Sequence, residues 1–201
     1  LRDRNGFDTA DVDDIIWGTS AQSGPQGGDL GRMSALDAGY DSFIDNGAML
    51  DMLLEERPAV VSFHFGLPTA EAITALKDAG IYLMGCATCV DEARAIEAAG
   101  LDAIVAQGYE AGGHRGLFDP KQESGLLLDE LLAQLKDASS LPIVATGGLM
   151  DGCDVARVLQ AGASAAQLGT AFISCPESAA PAAYREQLLS PAAGETAVTV
   201  L

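Results

Sequence analysis

The residues best suited to chemistry sit in three glycine-bearing stretches. The first reads Gln107-Gly108-Tyr109-Glu110-Ala111-Gly112-Gly113-His114-Arg115-Gly116. It sets an imidazole, the side chain best able to give or take a proton near neutral pH, among glycines that let the backbone approach a flat ligand closely. The second stretch is Ala145-Thr146-Gly147-Gly148-Leu149 and the third is Gln167-Leu168-Gly169-Thr170-Ala171-Phe172. Glycine amides at the starts of short helices bind a phosphate through exposed N–H groups and need no lysine. Gly147, Gly148, Gly169 and Thr170 are therefore candidate phosphate ligands, and His114 is the candidate acid or base. Either glycine stretch alone reads equally well as an ordinary turn; their recurrence on consecutive units is what points to a ligand.

Other reactive residues carry weaker signals. His64 ends an apolar strand and reads either as facing the same site or as a structural histidine at its rim, so it stays outside the catalytic set. Cys86-Ala87-Thr88-Cys89 has the spacing of a redox pair or half a zinc site, but no second pair of ligands accompanies it, and no metal site is expected. Glu110 and Arg115 flank the histidine loop and are expected to fix it as ions rather than to react.

The elements that must position these residues repeat. From about Pro58 an apolar run, a turn, a helical pattern and an Ala-Gly pair recur. Strands are predicted at Ala59–Phe65, Ile81–Gly85, Ala103–Ala106, Ile143–Ala145 and Ala165–Leu168, short and apolar enough to be buried on both faces and hence parallel. Helices are predicted at Ala70–Ala79, Val90–Ala99, Leu126–Ala138 and Gly152–Ala161, with Ala79-Gly80, Ala99-Gly100 and Ala161-Gly162 as their stops. Such units build either an open doubly wound sheet or a closed barrel. No G-x-G-x-x-G follows the first clear strand, and the glycine pairs follow later strands, where barrels hold phosphate; this favours the barrel. The fold class expected is α/β, a partial TIM-type (βα) barrel of about five C-terminal units with an N-terminal α/β segment that includes a strand over Val12–Thr19.

Composition excludes several function classes. With 201 residues, 48% of them hydrophobic, the chain can bury a core, and its 23 glycines suit the many turns of an α/β protein. A formal charge of −18 opposes nucleic acid and anionic membranes as partners, and forces any bound anion onto backbone amides. No run approaches the roughly 18 apolar residues of a membrane span, and Leu1-Arg2-Asp3-Arg4 does not begin a signal peptide. A cytoplasmic protein with reduced Cys86, Cys89, Cys153 and Cys175 is the expectation.

Taken in order, Val60-Val61-Ser62-Phe63-His64-Phe65-Gly66-Leu67-Pro68, Ala-Gly-Gly-His-Arg-Gly, Ala-Thr-Gly-Gly-Leu and Gln-Leu-Gly-Thr-Ala-Phe resemble the nitronate monooxygenases, formerly called 2-nitropropane dioxygenases. The resemblance runs from about Ser42 to Leu201. It implies a flavin mononucleotide (FMN) with its phosphate at Gly147, Gly148, Gly169 and Thr170 and its ring near Gln107, Gly112, Gly113 and Gln167. It also matches His114 to the family's active-site histidine. The implied chemistry is oxidation of an alkyl nitronate or nitroalkane with dioxygen to a carbonyl compound and nitrite or nitrate. Flavin-dependent enoyl-acyl-carrier-protein reductases share single motifs and are the nearest enzymatic rival. Leu1 to about Asp41 instead resembles the early part of a thiolase, giving a division into 1–41 and 42–201. Relative to the nitronate monooxygenases the second part is shortened at both ends. An unclosed barrel exposes strand edges, so self-association into a homo-oligomer and a fragment acting only as a binding or assembly module are further expectations.

Overall fold

The computed structural model describes residues 47–190. Residues 1–41, expected from sequence to resemble a thiolase, and the strand expected over Val12–Thr19 lie outside the described residues. Within them the chain alternates helix and strand: α1 (Gly47–Glu56), β1 (Val60–Phe63), α2 (Ala70–Asp78), β2 (Tyr82–Ala87), α3 (Val90–Ala98), β3 (Ala103–Gln107), α4 (Leu128–Ala138), β4 (Ile143–Thr146), α5 (Gly152–Gln160), β5 (Ala165–Gln167), α6 (Thr170–Ile173) and α7 (Ala182–Leu188).

The three Ala-Gly stops work as the sequence predicts. Gly80, Gly100 and Gly162 take φ of 81°, 82° and 106°, a region closed to most side chains. In each case the glycine N–H and the following N–H turn back onto the helix: Gly80 donates to Lys77 O and Ile81 to Leu76 O, Gly100 to Glu97 O and Leu101 to Ile96 O, Gly162 to Leu159 O and Ala163 to Val158 O. This Schellman pattern satisfies the last carbonyls and drops Ile81, Leu101 and Ala163, all buried, into the core at the start of the next strand.

All five strands are parallel and lie in the order β1-β2-β3-β4-β5. Every crossover steps to the next neighbour in one direction, so the strand order never reverses as it does at the switch point of a doubly wound sheet. That progression is the arc of a (βα) barrel, the architecture the sequence favours over a doubly wound sheet.

Side chains alternate between the two faces of the arc. Leu83 and Ala87 of β2, Ile104 and Ala106 of β3, and Ile143 and Ala145 of β4 pack with Leu76, Ile96, Leu131, Leu132 and Leu135 of the helices. Met84 and Cys86 of β2 and Ala103 and Val105 of β3 form a second, smaller cluster on the opposite, inner face, with Val60 and Val144 against it. Burying one such Leu or Ile stabilises the fold by about 1.5–3 kcal/mol relative to exposing it, so the helix-side layer holds the arc together.

Several boundaries shift by a residue or two from the sequence reading, β2 for example running on to Ala87 rather than Gly85, and two of these shifts have a visible cause. β1 stops at Phe63 rather than Phe65 because Phe65 and Gly66 turn to φ of 67° and 116°, which an extended strand does not tolerate. α4 starts at Leu128 rather than Leu126 because the Leu126 carbonyl accepts from Tyr109 N–H while Glu110 takes the Leu128 N–H. Among the described residues no helix is long and apolar enough to cross a membrane.

Candidate active site

The strand register puts Gln107, Thr146 and Gln167 directly opposite one another at the C-terminal ends of β3, β4 and β5. Thr146 Oγ1 donates to Gln167 O at 2.9 Å, and Gly108 N–H to Thr146 O at 3.0 Å, so the three following connections leave the sheet at one level. They then converge. A Cβ on Gly112 would lie 2.8 Å from Thr170 Oγ1, and one on Gly147 would lie 3.2 Å from both Ala111 N and Gly108 O. Gly147 and Gly148 hold φ of 114° and 66°, and a Cβ on Gly148 would meet Glu110 Cβ at 3.0 Å. Only glycine permits that backbone and that approach together. Gly169, at the start of α6, faces open space on its Cβ side. Gly112, Gly147, Gly148 and Thr170 are thus brought around one place, and Gly113 lies exposed beside them with φ of 81°.

His114 is exposed at this rim, its ring meeting the edge of Phe65 in a T-shaped contact with centroids 5.8 Å apart. His64, expected to end the strand, lies just past β1, 6.3 Å from Phe65, with Nε2 3.3 Å from Ser62 Oγ of β1. The positive φ of Phe65 turns its ring out of β1 toward the histidine loop. Phe65 was missed in the sequence because a strand-end aromatic looks like core; its only signal is the adjoining Gly66.

Residues 108–127 link β3 to α4, and four buried or half-buried side chains hold that long connection. Arg115, with only 6% of its side chain exposed, pairs with both oxygens of Glu123 at 2.9 Å and donates to Gln107 O, Gln107 Oε1 and Gly108 O. Its guanidinium also stands over the Tyr109 ring. The hydrogen bond from Arg115 holds the Glu123 carboxyl below its ordinary value, against a smaller opposing effect of burial. Glu110 receives the Leu128 N–H at the start of α4, where a carboxylate is favoured by the helix dipole. Arg115 and Glu110 fix the loop as ions, in keeping with the sequence reading. Buried Glu92 receives Thr88 N–H, Thr88 Oγ1 and Phe118 N–H, tying the far half of the loop to the neighbouring unit. Glu92 escaped the sequence reading although it occupies the third position of α3, from which a carboxylate commonly reaches back to the helix start. Nothing in the spacing of Glu123 from Arg115 announces their pairing.

Gln107 is buried and turned into the loop: Nε2 donates to His114 O at 3.0 Å, and Oε1 accepts from Gly116 N–H at 2.8 Å. Beneath it, Cys86 lies fully buried, and a Cβ on Gly116 would stand 2.5 Å from its Sγ. Burial, aided by the charge of Glu92 and opposed by that of Arg115, pushes the Cys86 thiol up to about 12. It stays protonated at neutral pH and is no nucleophile. Cys86 and Cys89 are both free thiols.

The nitronate monooxygenase family model matches residues 37–201, beginning slightly before the point where the sequence motifs begin to agree. The chain belongs to the nitronate monooxygenase family. It is 54% identical over 162 residues to a nitronate monooxygenase of Pseudomonas aeruginosa, covering 80% of this chain and 46% of that one. Against a nitronate monooxygenase of Paraburkholderia phytofirmans it is 53% identical over 164 residues, covering 80% and 44%. Among solved structures it resembles a nitroalkane oxidase from Streptomyces ansochromogenes, with a TM-score of 0.67 and 44% identity over 81% of this chain and 50% of that one. It also resembles FabK from Thermotoga maritima, with a TM-score of 0.60 and 28% identity over 78% and 50%. The chain therefore spans about half the length of the relatives it matches.

Proposed function

We propose that this chain forms the flavin-mononucleotide-binding part of an oxidoreductase that oxidises alkyl nitronates with dioxygen. The observation that carries the reading is the convergence of three consecutive strand-to-helix connections, with Gly112 packed on Thr170 and Gly147 on the loop that bears His114. A family match over most of the chain supports it.

The residues present suit the cofactor. The amides of Gly147, Gly148, Gly169 and Thr170 can grip its phosphate without a cation, which an acidic chain requires. Gly112 and Gly113 offer a bare backbone to a flat ring, and Gln167 stands level with Thr146 and Gln107 at the strand ends. Gln107 serves the ring by holding the loop beside it. The bound flavin would accept the substrate's electrons and pass them to dioxygen, leaving a carbonyl compound and nitrite or nitrate. His114, exposed and backed by Phe65, would orient the nitro group or take the α-proton of a neutral nitroalkane.

The purified chain, mixed with flavin mononucleotide and freed of excess, should retain visible flavin absorbance and consume oxygen when given an alkyl nitronate. A colourless protein would contradict the reading, and nicotinamide-dependent reduction of an enoyl thioester would redirect it to the rival chemistry.

A further inference from the structure

His114 is held through its backbone. Its exposed ring has the edge of Phe65 for company, but its carbonyl accepts from Gln107 Nε2, and Arg115, next along the chain, is anchored by a buried guanidinium. The amide of Gln107 cannot be turned over without loss. The His114 carbonyl needs a donor where Nε2 stands, while Gly116 N–H and the Arg115 guanidinium both need an acceptor where Oε1 stands. Glu123 completes the arrangement by taking two donors of Arg115, leaving its remaining contacts for Gln107 and Gly108 at the end of β3.

We propose that Gln107 and Arg115, braced by Glu123, are positioning residues that set where the His114 imidazole stands over the site. This rests on the reading of His114 as the acid–base group. The bonds fix three successive residues, His114, Arg115 and Gly116, to the end of a buried strand. A loop rich in glycine would otherwise wander, and catalysis is steep in position: a displacement of roughly 1 Å can cost about 10²-fold.

Gln107→Glu isolates the key bond. A carboxylate keeps an acceptor for Gly116 and strengthens the pairing with Arg115, but it loses the donor to the His114 carbonyl and sets oxygen against oxygen. Glu123→Gln, at a half-buried position, loosens Arg115 more gently and serves where the first variant folds poorly.

The readout needs no cofactor. The chain contains only two histidines, His64 and His114, so ring resonances of ¹⁵N-labelled protein can be assigned with a His64→Gln control. In both variants the His114 ring resonances should move while those of His64 stay in place. In flavin-loaded enzyme, compared at saturating flavin, Gln107→Glu should lower kcat on the order of 10-fold to 100-fold. Unmoved His114 resonances in the folded variants, or equal movement of His64, would overturn the proposal, the latter by revealing general loosening. Because the resonance test applies to the cofactor-free chain, a failure to bind flavin would count against the proposed function and leave this inference to be judged by itself.

Discussion

At the N-terminal end of the sheet, one device repeats: an Ala-Gly stop, a left-handed glycine and a buried apolar residue opening the next strand, as at Gly80, Gly100 and Gly162. At the C-terminal end the connections differ widely in length and in what holds them. Thr88 and Cys89 alone link β2 to α3, whereas residues 108–127 link β3 to α4 and are held by Arg115, Glu123, Glu110 and Glu92. Backbone geometry closes the first set of turns, with Lys77 added across the Gly100 turn onto Gly100 O and Asp102, and side-chain charge dominates the second. A turn made by backbone alone is cheap and uniform but leaves no group to spare. A loop clamped by buried ions can carry a histidine fixed by its backbone with its ring left exposed, and that end of the arc is where the glycines converge.

If the division is right, substitutions at the two ends should fail in different ways. The largest effect is expected at His114. His114→Ala should keep the flavin absorbance yet reduce turnover of an alkyl nitronate by roughly 10²-fold or more, the scale of a positioned acid or base; oxygen consumption measures it, and unchanged turnover removes His114 from the chemistry. Next comes Gly112→Val, whose Cβ would press on Thr170 Oγ1. Overpacking of this kind costs about 1–3 kcal/mol, so flavin affinity by fluorescence titration should fall about tenfold or more while the fold is retained.

The opposite end supplies the control. Gly100 has φ of 82° and open space around its Cβ position, so Gly100→Ala carries a backbone cost alone, about 1 kcal/mol in urea unfolding, and should leave flavin affinity untouched. A matched loss of affinity would erase the distinction between the ends. The smallest effect concerns acid. The folded carboxyl of Glu123 lies below its ordinary value of 4.5. Its contribution to stability is therefore fully present above that value and is lost as pH falls through the lowered one. Urea midpoints should drop over that window in the parent chain and drop less in Glu123→Gln; identical acid limbs would show that the pair does not clamp the loop.

The same contrast explains how far the sequence could be read. The strand-to-strand rhythm was plain because Ala79-Gly80, Ala99-Gly100 and Ala161-Gly162 punctuate it at the regular end. α1 was not read, since it closes on Arg57 at φ of 46° rather than on a glycine, and α6 is too short to show a period. At the other end the glycines and His114 announced themselves by type. Their holders did not: Glu92 meets Phe118 across 26 residues, and the amide of Gln107 points into its own loop. Such partnerships depend on how a long connection folds back, which no local pattern encodes.

The most direct test follows the backbone amides during a titration with flavin mononucleotide by ¹H–¹⁵N correlation spectra. The amides of Gly112, Gly113, Gly147, Gly148, Gly169 and Thr170 should move together to saturation while those of Gly80, Gly100 and Gly162 remain fixed. Saturation without movement of the first group, or movement centred on the second, would contradict the placement of the flavin at the C-terminal end of the arc.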